Sequence, residues 1–345
     1  MGLFCGRWCT AYEAKTLILP FVNQNETIKM GFFSSIFGNH EVSEANKFDT
    51  LCDDGVRAMQ MGELPYAEKC LKAALDLQHD LKAVCFLAEV NLRMRKLNEA
   101  LPLLREIHEA DAENVDVALL LAQTYGELGD YAAERVISNE VLEKQADEAR
   151  ALYLAAEADH GLADEFQAIA HLTQCLQLRP DYHAAQLLRA QVLAGMGQWA
   201  EVLADADELV KEDNENEEYL TLRAQALAAQ GRTDEAAADL NGVLTLNPFN
   251  QDAVLKLGSL YEQTSRWDKA LALYDEAIEL QPDFAAAYKA RGGVKHHLKD
   301  EAGAAEDLKH SLELAPEKAA DLDGEYTNVE NEMNARLRNM NPFGF

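Results

Sequence analysis

Nine histidines and six cysteines are the side chains of this sequence that could hold a metal or act as nucleophiles, so their spacing is decisive. His296 and His297 form its one adjacent histidine pair. Neighbours on a helix point about 100° apart, so the pair makes no shared ligand site by itself. His310 would have to reach it from a second helix. Cys5 and Cys9 are spaced CxxxC, a geometry open to redox or metal chemistry, but no second pair completes a site. Cys52, Cys70, Cys85 and Cys175 fall in helix-like segments, where buried free thiols of a reducing compartment are expected. Asp321-Leu322-Asp323-Gly324 echoes a calcium loop, yet its glycine comes too early and later ligands are missing. No glycine-rich phosphate loop, HExxH or GxSxG occurs. The sequence therefore predicts no catalytic centre, no metal and no cofactor, and a chain that is not an enzyme.

Binding remains, and charge limits the partners. Asp and Glu total 60 against 31 Lys and Arg, for a formal net charge of −29. Nucleic acid requires clustered cations, so it is excluded as a partner. Anionic lipid would repel the chain as a whole. No stretch approaches the ~18 apolar residues of a membrane-spanning helix, and a cytoplasmic location is expected. Residues 1–46 lack the periodicity of the rest and read as an irregular leader. Thr16–Val22 is apolar but short, is interrupted by Pro20, and is followed by no small-residue cleavage site. Gly6 stands where a myristoylated terminus carries Ser or Thr. Any membrane contact falls to residues 31–38, which include Phe32, Phe33 and Phe37. Met30 is a second candidate start, which would leave residues 1–29 outside the native protein.

The elements that must position any binding residues are helices in a repeat. Pro248, Pro282 and Pro316 are 34 residues apart, and Pro180 lies two periods before Pro248, with Asn214 in the place between. The phase puts repeat starts near 48, 81, 115, 149, 183, 217, 251 and 285. In the unit Gln251–Phe284 the first helix carries Leu257, Gly258 and Tyr261, and the second carries Ala270, Tyr274 and Ala277. Small residues recur in phase at Gly55 and Ala67, Ala88 and Ala100, Ala156 and Ala168, Ala224 and Ala236, and Gly292 and Ala304. They sit where two helices approach most closely and a larger side chain would push them apart. Gly129, Gly197 and Gly231 fall in the turn within a repeat, where a left-handed residue ends the first helix. Asp181, Asn250 and Asp283 are placed to cap the helix that follows. Glu134 and Val202 depart from the pattern, since alanine is expected at both, and an acidic connector, Glu212–Glu218, replaces one proline turn.

Taken together these residues resemble the tetratricopeptide repeat over about residues 48–317. The resemblance implies an all-α, right-handed α-solenoid of about eight helix–turn–helix repeats across residues 47–317. Residues 318–345, with Val329, Met333 and Leu337, are expected to supply a C-terminal capping helix and tail.

In that family the first helices line a concave groove. Carrying its positions across gives Lys82, Cys85, Glu89 and Arg93, then Leu119 and Gln123, then Arg150, Tyr153, Glu157 and His160. Further along it gives Leu187, Gln191, Thr221, Gln225, Leu255, Ser259, Glu262, Lys289 and His296. The mixture suits an extended or helical peptide. A solvated inner face, with binding at edges or tail, is the alternative. The Lys/Asn/Arg clamp of chaperone-binding relatives is incomplete, because Gly293 stands where its asparagine would follow Lys289. The expected function is a non-catalytic scaffold or adaptor for an unidentified protein or peptide. The other reading is a regulatory subunit of a membrane-associated or enzyme complex, anchored through the aromatic leader.

Overall fold

A computed structural model describes residues 44–315. Most of the leader, the 31–38 segment, Cys5, Cys9, the Asp321–Gly324 stretch and the expected capping helix lie outside the described residues. Sixteen α-helices and no strands make up the described part. In order they are α1 (Glu44–Gln60), α2 (Leu64–Leu77), α3 (Leu81–Arg93), α4 (Leu97–Ala110), α5 (Val115–Glu127), α6 (Tyr131–Lys144), α7 (Ala149–Gly161) and α8 (Glu165–Leu178). They continue with α9 (His183–Gly195), α10 (Trp199–Glu212), α11 (Glu217–Ala229), α12 (Thr233–Leu246), α13 (Gln251–Gln263), α14 (Trp267–Leu280), α15 (Ala285–His297) and α16 (Glu301–Leu314). From α3 onward the first helix of each pair has 13 residues and the second 14. The fold class is an all-α helical solenoid, as the sequence predicts.

Seven predicted repeat starts, from 81 to 285, are the first residues of α3, α5, α7, α9, α11, α13 and α15. At the remaining predicted start, near 48, α1 begins earlier, at Glu44, a few residues inside the stretch read as leader.

Each repeat turns the same way. The turn between first and second helix carries one left-handed residue: Gly62, Gly129, Gly197 and Gly231 in four repeats, and Arg95, Ala163, Ser265 and Lys299 in the others. The N–H just after it reaches back five residues, as from Asp130 to the Tyr125 carbonyl at 2.9 Å and from Arg266 to that of Tyr261 at 2.7 Å. This closes the exposed carbonyls of the helix end.

The starts of the first helices are capped less uniformly. Asp80, Asn114, Glu148, Asn216 and Asn250 each accept a bond from a backbone N–H of the helix they precede. Asn250 therefore acts as predicted. Asp283 does not, because the residue before α15 is Phe284, which packs at 3% exposure. Asp181 is likewise one place early, ahead of Tyr182.

The small residues do mark the close contacts. Ala67, Ala100, Ala168, Ala236 and Ala270 are fully buried, and so is Val202. A Cβ on Gly55 would come within 2.8 Å of Leu71, and one on Gly258 would run into the Tyr274 ring. The Tyr274 hydroxyl donates to Glu262 at 2.7 Å, so its polar end is satisfied.

The helices fall into two compact units, one ending at Ala185 and the other starting at Gln186. Within the first, each helix from α1 to α8 packs on the next, and α5 also meets α7. Within the second, the same holds from α10 to α16, and α13 meets α15. The second unit carries a repeated ion pair. Arg189, Arg223 and Arg291 each grip an aspartate sixteen residues later with two nitrogens, namely Asp205, Asp239 and Asp307. Among the described residues no helix is long and apolar enough to cross a membrane.

Candidate functional site

In the first unit, Arg150, Tyr153 and Glu157 lie three and four residues apart on α7, so they share one face. Tyr153 is 9% exposed. Its ring is 5.3 Å from that of Tyr182, which follows α8, and the Arg179 guanidinium lies 4.9 Å above Tyr182. Burial pushes the Tyr182 hydroxyl up to about 12. Glu157 is half-buried, and burial, with the charge of Glu127 added, pushes its carboxyl up to about 7.

Beneath that face lies Glu134 of α6, fully buried. Neither carboxyl oxygen has a hydrogen-bond partner among the described residues. Burial, with Glu157 nearby, pushes this carboxyl up to about 9. Room for it comes from Gly126 of α5, where a Cβ would lie 2.6 Å from both oxygens. Ser138, one turn on, is small and turns its hydroxyl to the Glu134 carbonyl at 2.8 Å. Glu127, beside Gly126, accepts from the Gln123 amide at 3.2 Å and pairs with Arg95 at 2.6 Å.

The structure thus brings together Gln123, Tyr153 and Glu157 of the expected groove, with the charge of Arg150 acting on Tyr182. It adds Glu127, Glu134 and Tyr182, which a first-helix rule passes over. Other expected positions sit elsewhere. Cys85 and Leu119 are buried in the helix core, at 2% and 1% exposure, and present no groove surface. Glu89 is nearly buried, with Arg93 at 3.7 Å, and Arg93 also donates to the Met59 carbonyl. Lys82 is exposed at the start of α3. His160 pairs with Glu165 at 2.8 Å.

In the second unit a cavity of about 400 Å³ opens between α11 and α13. Trp199 of α10, Ala224 and Ala228 of α11, Leu240 of α12, and Leu255 and Leu260 of α13 form its apolar lining. Gln225, Lys256, Ser259 and Gln263 supply the polar part, and the Gln263 amide donates to the Ser259 hydroxyl at 3.2 Å. Gln225, Leu255 and Ser259 are groove positions read from the sequence. Trp199 and Leu240 come from second helices and were not.

The remaining positions of this unit are apart from the cavity. Gln191 donates to Glu218 at 2.7 Å, Leu187 is half-buried, and Thr221 bonds the Glu217 carbonyl. Lys289 is half-buried on α15. His296 lies 3.0 Å from Glu301, while His297 stacks on Trp267 and His310 meets Tyr288 edge-on. Among the described residues no group of His, Cys, Asp and Glu could hold a metal ion. Cys70, Cys85 and Cys175 are buried free thiols, and Cys52 is half-buried.

Comparison with known proteins places this geometry. Family models of the tetratricopeptide repeat match residues 167–226, 221–283 and 255–319. A tetratricopeptide repeat protein from Parabacteroides merdae is 19% identical over 77% of this chain and 99% of its own, with a TM-score of 0.54. MamA protein is 21% identical over 54% of this chain and 100% of its own, at 0.46. YrrB, described as a TPR protein with an unusual peptide-binding site, is 17% identical over 52% of this chain and 92% of its own, at 0.44. At 19% identity the first of these speaks for the fold alone. No curated protein matches. Residues 167–319 are thus tetratricopeptide repeats, and the described helices follow the same paired pattern from α1 to α16.

Proposed function

We propose that this chain is a non-catalytic protein–protein interaction scaffold, and that it holds a segment of a partner along the accessible faces of its first helices. The cavity between α11 and α13 carries this reading. Its lining is mostly apolar, with the Gln225 and Gln263 amides, the Ser259 hydroxyl and Lys256 as its polar part, and its volume takes one aliphatic or aromatic side chain. Such a site anchors one side chain by desolvation while Gln225, Gln263 and Ser259 bond the peptide backbone beside it.

The test is a photo-reactive benzoylphenylalanine at Ser259, compared with one at Ala238, exposed on the second helix α12. Expected is a discrete adduct in the native cell from position 259 and none from 238, with the adduct reduced when Ala228→Trp fills the cavity. Equal adducts at both positions, or no effect of Ala228→Trp in a chain that still melts cooperatively, would refute the reading.

A further inference from the structure

We infer that Glu157 and Glu134, with Glu127 beside them, form an acceptor site in the first unit for a cationic side chain, lysine or arginine, of the bound partner. The inference rests on the scaffold reading for its natural ligand, but the site stands on its own geometry.

The position of Glu134 is the starting point. In six of the other seven repeats the equivalent residue is alanine, and in the seventh it is Val202. The packing therefore calls for a small apolar residue, and a carboxyl here is costly to bury. It is fully buried with both oxygens unpartnered, a state that native proteins rarely leave without a purpose. The lack of a side chain at Gly126 leaves the space that the carboxyl fills. The carboxyl thus reaches from the second helix toward the face that bears Tyr153 and Glu157.

Charge complementarity names the occupant. Neither Glu134 nor Glu157 has an ion pair with a cation of this chain among the described residues; Arg95 is committed to Glu127 at 2.6 Å. Arg179 lies over the Tyr182 ring, and the Arg150 charge acts on the Tyr182 hydroxyl. The group as a whole comprises Glu127 on α5, Glu134 on α6, Tyr153, Arg150 and Glu157 on α7, Cys175 on α8 and Tyr182 after it. With Glu127 met by Arg95, the Glu134–Glu157 pair has no counter-charge of its own once it ionises. An organic cation fits because a lysine or arginine side chain brings hydrogen-bond donors to the two unpartnered Glu134 oxygens. The Tyr153 and Tyr182 rings add faces that favour an ammonium or guanidinium. On binding, Glu134 releases its proton to solvent and the carboxylate faces the cation.

Carbon-detected NMR of side-chain carboxyls tests this on the full chain at pH 7.5. Butylammonium and N-propylguanidinium chloride stand in for the two side chains, with sodium chloride at equal ionic strength as the control. Expected is a saturable shift of the Glu134 and Glu157 signals with an organic cation, a Glu134 midpoint lowered by about one pH unit or more, and loss of the response in Glu157→Gln. The tighter of the two probes assigns lysine or arginine. No saturable shift, or the same shift with sodium, overturns the inference. The titration needs no partner, so its failure is distinct from a failure of the crosslink at Ser259 in the other unit.

Discussion

The Arg223 guanidinium meets the Asp239 carboxylate through two bonds, 2.8 Å from Nε and 2.7 Å from Nη2, and Asp207 adds a third contact at 3.5 Å. Two other repeats carry the same pair, and Asp275 joins Arg291 as Asp207 joins Arg223. In the repeat that starts at 251 the two positions hold Leu257 and Leu273 instead. Bidentate geometry and low exposure of the aspartate make this pair different from a surface ion pair. Arg223→Leu leaves Asp239, 8% exposed, without its main partner, and is expected to destabilise by about 3 kcal/mol. The double variant Arg223→Leu/Asp239→Leu should lie within about 1 kcal/mol of the parent. Urea denaturation of the four proteins of this cycle decides; a double variant as unstable as the single one would show that the pair is not exchangeable for leucines.

Gly126 and Glu134 are coupled in the first unit by the same logic of shared space. Gly126→Ala drives a methyl into the Glu134 carboxyl and is expected to cost about 1–3 kcal/mol. Adding Glu134→Ala removes the clash, so the penalty for the alanine at 126 should fall to near zero in that background. Equal penalties in both backgrounds would mean that the two residues do not compete for one space.

Much of the architecture was legible because its cause is local and repeated. A small residue at each close approach and a turn every 34 residues gave helix starts that the coordinates reproduce from Leu81 to Ala285. What escaped depends on contacts between elements. Glu134 stood out as a departure, but its link to Gly126 runs between two helices and has no periodic trace. The cavity of the second unit borrows Trp199 and Leu240 from second helices, whereas the groove was read from first helices alone. The arginine–aspartate pairs did leave a signal, a constant sixteen-residue spacing, which becomes readable only once the two positions are known to face each other. Asp283 misled by one residue, since an aspartate before a helix suggests a cap whether or not its register is right.

The buried acids make stability depend on pH with a definite sign. The Glu134 carboxyl titrates at about 9 in the fold and near 4.3 in an unfolded chain. Between those values the native state holds a proton that the unfolded state has lost, so stability falls as pH rises. Glu157, raised to about 7, adds the same sign over the lower part of the window. Hydrogen exchange of the α5–α7 amides is therefore expected to show falling stability from about pH 5 to about pH 9, after correction for intrinsic exchange. Glu134→Gln, which cannot ionise, should flatten the upper part of that slope. An unchanged slope in the variant would assign the effect to other groups.

The turns offer the last prediction. Arg95, Ala163, Ser265 and Lys299 hold φ between 56° and 70°, where a side chain crowds the backbone, while Gly62, Gly129, Gly197 and Gly231 serve the same turn without that cost. A left-handed conformation costs an L-residue roughly 1–2 kcal/mol, part of which a glycine gives back through its freer unfolded state. Ser265→Gly and Lys299→Gly should each stabilise the chain by about 0.5 kcal/mol, and Gly231→Ala should destabilise it by about 1 kcal/mol. The reach-back bond to the residue five before, from Arg266 to Tyr261 and from Arg232 to Leu227, is kept in every case, so the change isolates the backbone. Thermal denaturation of single and combined variants reads the result. Gains that add across Ser265→Gly and Lys299→Gly, with a loss at Gly231→Ala, follow if the left-handed residue alone sets the cost; a loss at all three positions would show that the side chains at 265 and 299 contribute more than their backbone strain removes.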